Sequence, residues 1–277
     1  FKVSSLPNHI QSVESVEDTA GRNDESKSVL SFPQLWMGMI AIFLYVGVEV
    51  STASNLPEFM KQYLGTKTED IAPYVSLFWA SLMIGRWTGA VGTFNISKGW
   101  KNVLTFVLPY SAFGVFLLTN ALANHDLQPF YIYILVILVI IAADIISKGN
   151  PSKQLLIFST CGIAALCIGM LSSGMTSVYA FISVGLFCST LWPCIFTLAI
   201  AGLGKHTNKG SGFLIMMIMG GGVVSLLQGY LAEEHLLGIR YSYLVGVACF
   251  AYLAYYGWRA GAILKAQGIT YEPSKAH

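Results

Sequence analysis

Charge is what this sequence has least of. Only 11% of its 277 residues are Asp, Glu, Lys or Arg, against about a quarter in soluble domains, while 55% are hydrophobic and the mean hydropathy is +0.62. That balance excludes a soluble globular chain. The net charge of +2 is too small, and the lysines and arginines too scattered between apolar runs, to suggest DNA or RNA as a partner. Cysteine is scarce as well: Cys161, Cys167, Cys188, Cys194 and Cys249 all lie in apolar runs. Their odd number and the lack of any CxxC spacing exclude a disulfide framework and a zinc site, leaving them as small hydrophobes. His9, His125, His206, His235 and His277 fall in tails or loops, so none is placed to relay a proton across a membrane. A phosphate-binding loop is lacking too, because GLGKHT at 202–207 has Ala199 where that motif needs Gly and His206 where it needs Ser or Thr. With no convergence of Ser and His for nucleophilic catalysis, neither an enzyme nor an organic cofactor is expected.

What is there is a series of apolar stretches, each about 20 residues long, the length an α-helix needs to cross a bilayer. Eight lie near 35–56, 73–94, 103–123, 130–147, 153–173, 177–203, 211–232 and 241–264. The fold class is therefore an all-α integral membrane protein, a polytopic helical bundle over 35–264. Pro109 makes the third stretch the one least expected to run as a straight helix. Gly220-Gly221-Gly222 reads as close helix packing or a flexible point, and Gly85 and Gly89, four apart in IGRWTG, as small-residue helix contacts.

Lysine placement sets the orientation. Lys98 and Lys101, Lys148 and Lys153, and Lys205 and Lys209 follow the second, fourth and sixth stretches, so those connections are cytoplasmic. An even number of spans then puts both ends inside, with residues 265–277 as a cytoplasmic tail. Asn95-Ile96-Ser97 falls on the same side, where it would not be glycosylated. Residues 1–34 are polar, serine-rich and acidic, a cytoplasmic linker or tail without a signal-peptide core. The chain opens at Phe1, and the expectation is that it begins within a longer protein.

Three ionisable residues stand inside the apolar stretches: Glu49, Arg86 and Asp144. A charge at the centre of a lone membrane helix costs roughly 2.5–3.5 kcal/mol on insertion scales, so such residues face a partner or a water-filled cavity. Asp144 lies near Lys148 and an interface, where a carboxylate is solvated. At about 1.5 Å per residue, Glu49 and Arg86 differ in depth by about 9 Å, close enough to form a salt bridge or a water-linked pair on neighbouring helices. Such a pair could serve coupling or simply hold two helices together.

YVGVEV (45–50), IGRWTG (84–89) and above all LWPCIFTLAIAGLGKHTNKGSGFLIMMIMGGG (191–222) resemble the carboxyl-terminal half of the fucose permease and glucose/galactose transporter branch of the major facilitator superfamily. The resemblance covers the first two and last four spans. It implies a twelve-helix carrier of two six-helix halves that opens alternately to each side around a midplane sugar site. The other half would be the missing amino-terminal portion, residues 98–150 an inserted transmembrane hairpin, and the setting a bacterial cytoplasmic (inner) membrane. Glu49 stands where the fucose permease has glutamine, which puts fucose itself in doubt, and Ser225 stands where the family often has proline.

Sugar recognition needs donors and acceptors matched to hydroxyls beside a flat apolar face. Glu49, Asn55 and Gln228 could supply the first and Trp79 and Trp192 the second, with Glu49 and Arg86 as the coupling or ion pair. For Asn55 and Gln228 an interhelical hydrogen bond is the alternative; for the tryptophans it is a lipid-facing or interfacial position, the favoured reading of Trp87 and Trp100. The expected function is cation-coupled symport of a monosaccharide, with H+ or Na+ as the coupling ion. A major facilitator carrier of a non-sugar solute, or a non-transporting membrane scaffold, stays open as an alternative.

The lysine bias makes a direct prediction. Single cysteines introduced by Asn150→Cys and Asn208→Cys should react only with reagent on the cytoplasmic side, and Asp126→Cys only from outside; labelling of position 126 from the cytoplasm would remove the hairpin.

Overall fold

The computed structural model describes residues 28–91, 97–147 and 149–269. Most of the expected linker (1–27), Asn95 and Ile96 of the sequon, Lys148 and the tail from 270 lie outside the described residues. Eleven α-helices follow in order among the described residues: α1 Pro33–Leu64, α2 Thr68–Ala90, α3 Lys98–Leu122, α4 Tyr133–Ser147, α5 Pro151–Leu171, α6 Gly174–Cys188, α7 Leu191–Ile200, α8 Thr207–Met216, α9 Gly220–Leu231, α10 Gly238–Ser242 and α11 Leu244–Ala266.

The boundaries follow local chemistry. Helix α1 starts with Pro33 at its first turn, where a missing N–H costs nothing, and stops at Gly65, whose φ of 66° lets its N–H return to the Lys61 carbonyl. Helix α5 opens on Asn150, whose Oδ1 accepts from the Ser152 and Lys153 amides at 3.1 Å each. Six helical stretches are long and apolar enough to cross a membrane: Pro33–Leu64, Gly99–Leu122, Gln128–Ser147, Pro151–Leu171, Gly174–Ile200 and Gly204–Leu231. The remaining two expected spans are the helices α2 and α11, 23 residues each, long enough at 1.5 Å per residue but more polar. Pro109 does not interrupt α3, which runs unbroken for 25 residues.

Two of the expected spans depart from a single helix. The sixth divides into α6 and α7 at Ser189 and Thr190, because Pro193 has no N–H to give to the Ser189 carbonyl. The seventh tightens into a 3-10 turn at Met217–Met219, immediately before the triple glycine.

Helix α1 is the centre of the bundle, with Leu35, Ile42, Val48, Leu56 and Phe59 fully buried against α2, α6, α7, α9 and α11. Glycines set the distances. A Cβ on Gly220 would lie 2.0 Å from the Phe43 carbonyl oxygen, and one on Gly47 would strike Val224 at 2.5 Å; both pairings advance together, so α1 and α9 run parallel. Tyr252 and Tyr256 donate to the carbonyls of Met37 and Gln34, each at 3.1 Å, and Gly246 lies against Val48, so α11 is antiparallel to α1. The Gly162 and Gly257 contacts with Phe250 and Leu155 make α5 antiparallel to α11 as well, so α1 and α5 share one direction. The pair α3–α4 therefore leaves the direction of the later helices unchanged. It rests on α2 through the Ser81–Tyr133 hydroxyl contact at 2.6 Å and the Tyr74, Phe116 and Phe130 rings. Its outer face is apolar and exposed at Leu118, Leu122, Leu135 and Ile146, as a lipid-facing surface must be.

The Gly220 contact is testable. In the full-length protein Gly220→Ala should cost about 1–3 kcal/mol through overpacking, read as a lower melting temperature in detergent. Gly222→Ala, with nothing within 4 Å of its Cβ, should not lower it; equal effects would refute the close approach.

Candidate functional site

Glu49 sits half-buried on α1, and its carboxylate accepts a hydrogen bond from the phenol of Tyr45, one turn earlier. The spacing is i, i+4, which places both on one helix face. Tyr45 in turn meets Trp192 edge-on, ring centres 6.1 Å apart, and Trp192 stacks on Phe196 at 6.5 Å. The carboxylate is thus fixed from its own helix, and its fixing residue rests on α7 just past the helix break.

Opposite stands α2. Trp79, Leu82, Met83, Arg86 and Trp87 follow i, i+3, i+4, i+7, i+8, a single helical stripe, and with Glu49 they line a cavity of 260 Å3. Glu49 and Arg86, predicted as neighbours, do share this space. A direct ion pair between the two is not formed. Trp79 and Trp87 are 46% and 38% exposed, so the cavity opens between two indoles. Trp87, expected at a lipid-facing or interfacial position, lines this cavity while staying partly exposed.

Arg86 also lines a second, larger cavity of 650 Å3, together with Gln154, Thr190, Trp192, Cys194 and Thr197 among others. That volume lies within the range of small-molecule sites, about 300–1,000 Å3. The broken segment at Ser189 and Thr190 forms part of its wall. Gly85 and Gly89 bring α2 onto that segment, since a Cβ at Gly85 would overlap Ser189 and one at Gly89 would touch Thr190 at 3.2 Å. The small-residue contact expected of IGRWTG is therefore a contact with the helix break.

Asp144 is half-buried, and its Oδ1 accepts from Gln154 Nε2 at 3.1 Å, so it is tied to a cavity residue and not simply solvated. The remaining two expected sugar ligands lie elsewhere. Asn55 Nδ2 donates to the Ser51 carbonyl of its own helix at 2.8 Å, and Gln228 is fully buried with its Nε2 toward Ser242 Oγ at 3.4 Å. Neither is among the residues lining the two cavities. Tyr45 and Gln154 were missed from sequence, although the i, i+4 spacing to Glu49 was available for the first. Among the described residues no group of three or more metal-ligating side chains forms.

With this geometry in place, comparison with known proteins is informative. No protein-family model matches the chain. It is 30% identical over 244 residues to the glucose/galactose transporter of Brucella abortus, an alignment covering 87% of this chain and 46% of that protein. Over 107 residues it is 32% identical to the L-fucose-proton symporter of Escherichia coli, covering 39% and 24%. The crystal structure of the major facilitator transporter FucP in the outward conformation superimposes with a TM-score of 0.59 at 20% identity, over 86% of this chain and 47% of that one. The chain has the carboxyl-terminal half of a major facilitator fold. It is an integral membrane protein, and it spans about half the length of the curated relatives it matches.

The Tyr45–Glu49 contact can be isolated by a double-mutant cycle in the full-length protein. Tyr45→Phe alone should lower stability by about 1.5–3 kcal/mol, the range for a hydrogen bond to a charged group, and should add little once Glu49 is already Leu. Fully additive losses in detergent melting would mean that the hydrogen bond contributes nothing.

Proposed function

We propose that the complete protein is a secondary active carrier of a monosaccharide, a hexose such as glucose or galactose or else fucose, working by alternating access as a cation-coupled symporter. One observation carries the reading: the carboxylate of Glu49 and the guanidinium of Arg86 share a small cavity walled by Trp79 and Trp87. Polar groups that match hydroxyls beside flat aromatic faces are what a sugar requires. The names of the matched relatives support sugar as the substrate class, and "proton symporter" among them favours H+ over Na+. A carrier of this kind performs no covalent chemistry, so the protein is not an enzyme and has no catalytic residue or cofactor. Glu49, Trp79 and Trp192 contact the sugar in this reading. Asn55 and Gln228 would reach it only after helix movement frees their amides.

The other half of the carrier precedes this chain and closes over the two cavities. Residues 1–34 are the cytoplasmic linker between the halves, 98–150 is an inserted hairpin, and both ends face the cytoplasm of a bacterium whose inner membrane holds the protein. Glu49 couples the ion: it is charged and satisfied by Tyr45 and Arg86 in one state and neutralised in the other.

Glu49→Gln holds the side chain neutral at nearly the same shape. In vesicles carrying the full-length protein it should abolish accumulation of labelled hexose against a gradient while exchange between the two sides persists. Accumulation as steep as the parent's would make Glu49 a sugar ligand or a structural partner and move coupling to the other half. A parent that takes up none of a hexose panel but does take up organic anions would replace the sugar reading, since Arg86 suits an anionic solute.

A further inference from the structure

The wall of the larger cavity carries a feature that neither the sugar reading nor the ion pair uses. Gln154, on the first turn of α5, lines the cavity and is bonded on both sides. Its Nε2 donates to Asp144 Oδ1 of α4 at 3.1 Å, and its Oε1 accepts from the Cys194 thiol of α7 at 3.5 Å. A glutamine side chain can turn over and exchange its amide for its carbonyl at almost no cost. Here it cannot, because an ionised carboxylate only accepts and so must face the NH2. With the nitrogen held toward α4, the carbonyl oxygen is held toward Cys194 and the cavity. The partners come from three segments: the helix pair 98–147, the first turn of α5 and the helix just beyond the break at 189–190.

The geometry points to Asp144 as a positioning residue for solute recognition: it locks Gln154 so that the cavity is offered a carbonyl acceptor at this point, one that a hydroxyl-bearing solute can donate to. The helix pair α3–α4 then has a role besides facing lipid, since it brings the carboxylate that orients a binding group. The inference rests on the carrier reading for its solute but not for the lock itself, and the test separates the two.

In the full-length protein, Asp144→Ala frees Gln154 to turn. The KM for hexose uptake should rise about twofold, because a freely turning amide presents its carbonyl to the cavity only about half the time, with the maximal rate little changed. Asp144→Asn, whose own amide can turn together with that of Gln154, should raise KM as Asp144→Ala does, whereas Asp144→Glu, a carboxylate that only accepts, should keep KM near the parent value. Gln154→Met, which removes the acceptor, should raise KM about tenfold, the worth of one hydrogen bond to the solute, and the double variant should be no worse than Gln154→Met, because Asp144 acts only through Gln154. Asp144→Val, closer in bulk, serves if the alanine form does not fold. A second readout needs no transport. With Cys194 as the sole cysteine, buried at 5% exposure, alkylation by a membrane-permeant maleimide should accelerate several-fold in Asp144→Ala, and by less when Gln154 is already Met, where the thiol has no acceptor to lose and only the carboxylate's charge changes. A parent that transports no hexose would end the sugar reading while this rate still decides the lock. Unchanged KM and unchanged Cys194 labelling in Asp144→Ala, or losses that multiply in the double variant, would overturn it.

Discussion

Within hydrocarbon a backbone amide or carbonyl without a partner costs several kcal/mol, and this constraint decides where the chain is regular. Helices satisfy it at every residue, so nearly all of the described chain is helical. The two places where a span departs from the α-helix are informative for the same reason. Ser189 and Thr190 interrupt α6–α7 at the wall of the larger cavity, where non-helical backbone is tolerated in a membrane, and the Ser189 hydroxyl turns back to the Leu186 carbonyl at 2.6 Å. The turn at Met217–Met219 retains its backbone bonds as 3-10 contacts and delivers Gly220 to the Phe43 carbonyl. Irregularity and close packing are thus parts of one arrangement around α1.

The constraint extends to side chains. Both carboxylates in the spans have a donor, Glu49 from Tyr45 and Asp144 from Gln154, and each donor also touches α7, at Trp192 and at Cys194. The two pairs therefore converge on the ten-residue helix that follows the break. That segment, beside the break at Ser189 and Thr190, joins the donor of each carboxylate to the wall of the larger cavity through one helix.

Much of this was legible in sequence, for physical reasons. Apolar runs of membrane length located the helical stretches, six of which are long and apolar enough to cross a membrane, because hydrocarbon thickness leaves little freedom. Counting residues along two helices at about 1.5 Å each suggested a salt bridge or water-linked pair of Glu49 and Arg86; the two line one cavity without a direct ion pair. The glycine contacts of Gly85 and Gly89 were readable as packing, though not their partner. What could not be read was which side chains satisfy which. Asn55 and Gln228 looked like sugar ligands because they are polar at depth, yet Asn55 bonds within its own helix and Gln228 is enclosed by Ser242. Asp144 looked interfacial because Lys148 is four residues away, yet its partner comes from the next helix. Hydropathy places a residue in depth; it does not fix rotation about the helix axis, and rotation decides between lipid, cavity and neighbour.

Trp87 illustrates that last point and leads to the role of α2. Taken alone, a tryptophan near a span end belongs at the interface. Counted with Trp79, Leu82, Met83 and Arg86 it completes one stripe of a 3.6-residue helix, and that stripe faces Glu49. The reverse face of α2 carries Ser81 and Gly85, which pack against Tyr133, Ile140 and Ser189. So α2 stands between the cavity and the helix pair α3–α4, held by small residues on one side and presenting indoles and a guanidinium on the other. Those opposed faces let the pair α3–α4 pack on the outside of α2 without occupying the cavity, while Asp144 at the end of the pair bonds the cavity residue Gln154.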